Sequence, residues 1–107
     1  MDLSETLKAL SDPNRLRILN LLGGETLCVC DLEEVLKLNQ SNLSRHLAKL
    51  RQAGLVSGKK SGLFMYYSRN PLPLPYGPIV EALYEKMSGD PTWESDRQEL
   101  VARQGCC

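Results

Sequence analysis

Leu32-Glu33-Glu34-Val35-Leu36-Lys37-Leu38-Asn39-Gln40-Ser41-Asn42-Leu43-Ser44-Arg45-His46-Leu47-Ala48-Lys49-Leu50-Arg51-Gln52-Ala53-Gly54 is the stretch that decides the fold of this chain. Leu32, Val35 and Leu36 recur at helical spacing, which predicts a short helix starting near Cys30 or Asp31. Asn39 is a good N-cap for a second helix over 40–53, and Gly54 is a suitable stop for it. Two helices about three residues apart have the spacing of a helix-turn-helix. Opposite Leu43, Leu47 and Leu50, the second helix carries small polar and basic side chains.

Outward from this pair the signals stay local. Leu3, Leu7 and Leu10 predict a helix over 2–10. Asp12-Pro13 is an N-cap followed by proline at the first helical position, opening a helix that Gly23-Gly24 ends. Downstream, 55–68 reads as two strands around a turn containing glycine and lysine, a wing. The proline-rich 70–78 reads as a stiff extended connector. Ile79, Val80, Leu83, Tyr84 and Met87 then give an amphipathic helix, and Asp90-Pro91 opens a last one anchored by Trp93. The fold class expected is mainly α with a β-hairpin wing. The expected division is 1–88 for the winged helix-turn-helix and 89–107 for a helix and cysteine-bearing tail.

The chain has 107 residues, enough for one core and too few for a separate catalytic domain. No apolar run approaches the roughly 20 residues that span a bilayer, and the first residues lack the pattern of a signal peptide, so a cytoplasmic protein is expected. Formal net charge is zero, yet the charges are segregated. Residues 1–36 carry three bases and seven acids, 37–70 seven bases and no acid, and 71–107 three bases and six acids. A basic segment coinciding with a helix-turn-helix and a hairpin predicts double-stranded DNA as partner. Amides, hydroxyls and guanidinium groups match base edges in the major groove. The candidates on the second helix are Gln40, Ser41, Asn42, Ser44, Arg45, His46 and Lys49, with Lys59 and Lys60 on the wing for phosphate. His46, the only histidine, has burial or metal ligation as alternatives, but no ligand partners adjoin it.

Four cysteines stand as two close pairs, Cys28 with Cys30 and Cys106 with Cys107. Without an export signal they read as thiol or metal chemistry rather than a disulfide framework. Residues two apart point about 200° away from each other in a helix. Cys28 and Cys30 are therefore expected to close on one soft ion only if the helix start is distorted, which would couple ion binding to the reading helix. The same cysteines packed as small hydrophobes are the plain alternative. An enzymatic redox pair is set aside, because the spacing is Cys-x-Cys and no phosphate-cradling loop is present.

Leu27-Cys28-Val29-Cys30-Asp31-Leu32, Gln40-Ser41, Ser44-Arg45-His46-Leu47, Leu50-Arg51-Gln52-Ala53-Gly54-Leu55-Val56 and Tyr66-Tyr67 stand in an order that resembles the ArsR family of arsenic- and metal-responsive repressors, over roughly residues 3–88. The resemblance implies a winged-helix homodimer that represses a resistance operon and leaves its operator when trivalent arsenic binds. It also implies DNA contact for His46. Cadmium, lead or zinc is the alternative inducer. Many arsenite-sensing relatives carry a third cysteine three residues after the pair, where this chain has Glu33. Cys106 or Cys107, from the same or the partner subunit, is one candidate for the third thiolate; a separate tail site, or a tail without a role, are the others. Leu3, Leu7, Ile79, Val80, Leu83, Tyr84 and Met87 exceed what two short helices of a monomer need, so they are the candidate dimer face. Two-fold symmetry then sets the reading helices about 34 Å apart, on an imperfect palindrome.

Overall fold

A computed structural model describes residues 3–71 and 76–103. The elements run α1 (Leu3–Leu10), α2 (Pro13–Leu21), β1 (Leu27–Cys28), α3 (Val29–Leu36), α4 (Gln40–Gln52), β2 (Val56–Ser61), β3 (Phe64–Arg69), α5 (Gly77–Met87) and α6 (Pro91–Ala102). This is the winged helix-turn-helix expected from the sequence.

Local chemistry accounts for most boundaries. The Asp12 carboxylate accepts hydrogen bonds from the backbone N–H groups of Asn14 at 2.8 Å and Arg15 at 3.2 Å, and Pro13 costs α2 nothing at a position whose N–H has no helical acceptor. The Asn39 side chain accepts from Asn42 N–H at 2.8 Å and starts α4. Leu43, Leu47 and Leu50 of α4 are fully buried with Ile18, Leu19, Leu22, Leu32 and Leu55, so the reading helix is fixed to α2 and α3 by one core.

The sheet has one strand more than the sequence announced. β1 pairs antiparallel with β3, Leu27 opposite Tyr67 and Cys28 opposite Tyr66, giving the order β1-β3-β2. Two residues carry no detectable alternation, which is why β1 has no signature. Gly58 faces Tyr67 across the wing; a Cβ there would meet the ring at 2.7 Å, so only glycine lets the ring lie against the ladder.

Two expectations are corrected downstream. Gly77 and Pro78 belong to α5 rather than to the connector, because proline is accommodated in a first helical turn; 72–75 lie outside the described residues. On α5 only part of the apolar face is free. Val80, Tyr84 and Met87 are buried in the protomer's own core, whereas Ile79 and Leu83, with Leu3 and Leu7 of α1, are exposed by 38–49%.

Polar contacts across the chain dock α6. The Arg17 guanidinium grips Asp96 through Nε to Oδ2 at 2.7 Å and a terminal nitrogen to Oδ1 at 2.9 Å. The Asn20 amide donates to the Trp93 carbonyl at 3.1 Å, and Arg97 donates to the Asn20 carbonyl. Trp93 and Leu100 pack on the core and Asp96 is buried, while Val101 is 78% exposed.

Candidate nucleic-acid interface and thiol site

On α4, Gln40, Ser41, Ser44, Arg45 and Lys49 are exposed, and Asn42 is half-buried. The Asn42 side-chain Oδ1 accepts from Arg45 at 2.9 Å, which restricts the guanidinium on the outer face. Lys59 and Lys60 are exposed on β2. The helix therefore offers amide, hydroxyl and guanidinium groups together, with a basic wing in the same chain, groups of the kinds that match base edges and phosphates.

His46 does not join them. It is 7% exposed, so its placement among the groove-facing residues is corrected. Helical geometry explains this: position 46 follows Leu43 by three and precedes Leu50 by four, on the buried stripe. That spacing was visible in the sequence and was outweighed by the ring's polarity. Its Nδ1 has no hydrogen-bond partner among the described residues and lies 4.0 Å from Asp12 Oδ1. Burial pushes the imidazole pKa below the usual histidine value, against the pull of Asp12. Asp12 itself is held below the usual carboxylate value: burial pushes upward, but the backbone N–H groups of Arg15 and Asn14 outweigh it.

The thiol pair forms where β1 turns into α3. Cys28 is the N-cap, with extended backbone (φ −69°, ψ 147°), and Cys30 lies in the first helical turn. The Asp31 carboxylate reaches back to the Cys28 N–H at 3.3 Å. Because the cap residue is not helical, the two side chains converge, and the sulfurs stand 2.7 Å apart. The expectation that the helix start must be distorted to bring them together is thus overturned. Cys28 is buried with a free thiol, whereas Cys30 is disulfide-bonded. Sulfurs on one tetrahedral ion at about 2.3 Å stand about 3.8 Å apart, so the pair needs to open by about 1 Å, within reach of side-chain rotation. With Cys30 reduced to its thiol, the pair fits a soft ion. Among the described residues no group of three or more histidine, cysteine or acidic side chains could hold a metal, so this pair supplies two ligands. Cys106 and Cys107 lie outside the described residues.

The end of α6 reaches the same place. Arg103, the last described residue, pairs with Asp31 at 3.3 Å and Glu34 at 3.6 Å, one and four positions after Cys30. The sequence contained no sign of these pairs, since an arginine and an acid about 70 positions apart leave no periodic trace.

Known proteins resemble this chain in sequence and in fold. Residues 12–57 match the model of the bacterial regulatory protein, arsR family. An arsenical resistance operon repressor of Escherichia coli is 35% identical over 111 residues, covering 95% of this chain and 86% of that protein. An arsenic resistance transcriptional regulator of Pseudomonas putida is 43% identical over 65 residues, 60% of this chain and 51% of that protein; the chain thus spans about half the length of some curated relatives it matches. A cadmium resistance regulatory protein homologue of Staphylococcus aureus is 38% identical, over 64% of this chain and 57% of that one. Among solved structures, reduced HlyU from Vibrio cholerae superposes with TM-score 0.68 at 32% identity, over 81% of this chain and 88% of that chain. These relatives are regulators and not enzymes. With the matched helix-turn-helix lying on the face described above, the chain belongs to the ArsR family of bacterial regulatory proteins.

Proposed function

We propose that this protein is a cytoplasmic, homodimeric repressor that binds operator DNA through α4 and the wing and releases it when trivalent arsenic binds its cysteines. The observation that carries the inducer is the 2.7 Å approach of Cys28 and Cys30 at the start of the first helix of the helix-turn-helix. Cys28 also sits opposite Tyr66 of the wing, so the pair lies where wing and reading motif meet. The third thiolate comes from Cys106 or Cys107 of the same subunit. Three residues of extended chain reach about 10 Å beyond Arg103, and Arg103 is tied beside Cys30 through Asp31. Such a set requires Cys30 in its reduced form. Thiolates suit soft ions, and each tenfold loss of operator affinity needs about 1.4 kcal/mol of coupling. With the pair already converged, that coupling comes from drawing the tail onto the α3 start rather than from bending the helix.

The dimer face in this reading is Leu3, Leu7, Ile79 and Leu83, the apolar residues of α1 and α5 left exposed. The test is fluorescence anisotropy of labelled DNA from upstream of the protein's own gene, with fully reduced protein. Arsenite or methylarsenite releases the wild-type protein from this DNA. C28S and C30S bind DNA and fail to respond, and joint C106S/C107S fails equally. Retained induction in the tail variant refutes the three-thiolate set. Release by cadmium, lead or zinc but not by arsenicals moves the protein to the metal-sensing reading that the cadmium-resistance relative favours.

A further inference from the structure

Away from the DNA face and the thiols, a cleft of about 380 Å³ opens between the end of α2, β3, α5 and α6. Two guanidinium groups converge in it. A Cβ added to Gly23 would lie 3.0 Å from a terminal nitrogen of Arg97 and 3.2 Å from one of Arg69, so both tips point over the same bare backbone. Arg69 is held in place by its Nε bond to the Leu19 carbonyl at 2.8 Å and by stacking over the Tyr84 ring, 3.8 Å from the centroid.

Only one of the two guanidinium groups has an ion-pair partner among the described residues. Among the described residues no carboxylate stands within ion-pair distance of half-buried Arg69, and Glu81 acts on it only from farther away. Burial, and then Arg97, hold its pKa below the usual arginine value against Tyr84 and Glu81. Arg97 has one acid, the half-exposed Glu25 at 3.6 Å, and Glu94 also lines the cleft. Tyr84 lines it too; its side chain is about nine-tenths buried and its hydroxyl has no hydrogen-bond partner among the described residues. A half-buried cation without an ion-pair partner carries part of the cost of burying charge, and a buried hydroxyl without an acceptor is costly too. Neither fact has a role in DNA or thiol chemistry.

We propose that this cleft binds a small tetrahedral oxyanion of the phosphate class, gripped between Arg69 and Arg97 over Gly23. Guanidinium forks match such oxygens in pairs. A doubly charged anion suits the site best, because it binds against the repulsion of Glu25, on the other terminal nitrogen of Arg97, and of Glu94 at the cleft wall. Once seated, the anion ties the second wing strand to α6, and so to the segment that leads to the tail cysteines.

The test is thermal unfolding of the reduced full chain in inorganic phosphate against chloride at matched ionic strength. Phosphate at ten times its dissociation constant raises the Tm by about 6 °C. The shift disappears in Arg69→Gln. It also disappears in Gly23→Ala, whose methyl fills the point between the two tips at a position where φ suits alanine and the nearest backbone atom, the Asn20 carbonyl oxygen, lies 3.2 Å away, so that a folding defect in the first variant leaves the second decisive. No phosphate-specific shift in the wild type overturns the proposal. A shift that survives in Gly23→Ala also overturns it, because the anion then sits elsewhere, as on the DNA-reading face.

Discussion

Replacing Arg17 with methionine removes the fork that holds α6 to α2 while keeping most of the side chain's volume. Two charge-assisted bonds are lost, at 2.7 and 2.9 Å, and Asp96, 8% exposed, is left facing a thioether. Breaking a fully buried pair costs about 3–5 kcal/mol. The Arg17 side chain is 30% exposed, so water relieves part of this and the expected loss is about 2 kcal/mol. That loss falls on the docking of α6. If α6 delivers the third thiolate, arsenite affinity falls by up to about 30-fold, the ratio equivalent to 2 kcal/mol. Operator affinity without arsenite should stay within a few-fold, because the exposed α4 face is unchanged. Urea unfolding gives the first quantity, calorimetric arsenite titration the second and anisotropy the third. Leu in place of Asp96 on the R17M background should recover most of the stability, since an apolar pair of similar volume avoids the stranded charge. A variant that loses 2 kcal/mol of stability yet binds arsenite with wild-type affinity refutes delivery by docked α6.

Joint Lys59→Ala and Lys60→Ala should weaken operator binding across sequences and reduce the salt slope by about two, as measured by anisotropy at several salt concentrations. Arg45→Ala should instead cost about 1–3 kcal/mol and relax sequence preference, read by competition with altered operators. His46 gives a pH dependence of defined sign. Its folded pKa lies below the unfolded value of 6.5, so the unfolded chain takes up its proton first, and the contribution present above pH 6.5 is lost as pH falls toward the folded pKa. Urea midpoints between pH 8 and pH 5 should fall less steeply for H46Q than for the wild type; parallel curves contradict the assignment. Leu7→Asp with Leu83→Asp should yield monomers in sedimentation, with operator binding lost in proportion.

Periodicity and capping made much of this fold legible before any coordinates. Asp12-Pro13, Asn39 and Gly54 act within a few residues of themselves, and Leu43, Leu47 and Leu50 repeat along one helix, so their meaning is local and survives in the bare sequence. The same holds for the acid-free basic segment, whose charges lie next to one another along the chain. The cysteine spacing marked a thiol site for the same reason. His46 was legible in part, because its position on the apolar stripe and its polar ring pointed in opposite directions, and burial in the core prevailed.

What only the tertiary structure decided depends on elements far apart in the chain. The two-residue strand β1 exists because β3 is there to pair with it, and that pairing holds Cys28 extended so that its sulfur meets that of Cys30. Val80, Tyr84 and Met87 were indistinguishable from Ile79 and Leu83 by hydropathy; the packing of α5 on its own core separated them. The fork between Arg17 and Asp96, the pairing of Arg103 with Asp31, and the meeting of Arg69 with Arg97 join residues 28 to 79 positions apart. The sequence alone determined a winged helix-turn-helix with a basic reading face and a thiol pair at its entrance. Which side chains face inward, and which distant charges meet, were settled by packing, because a contact closed through the core leaves no periodic pattern along the chain.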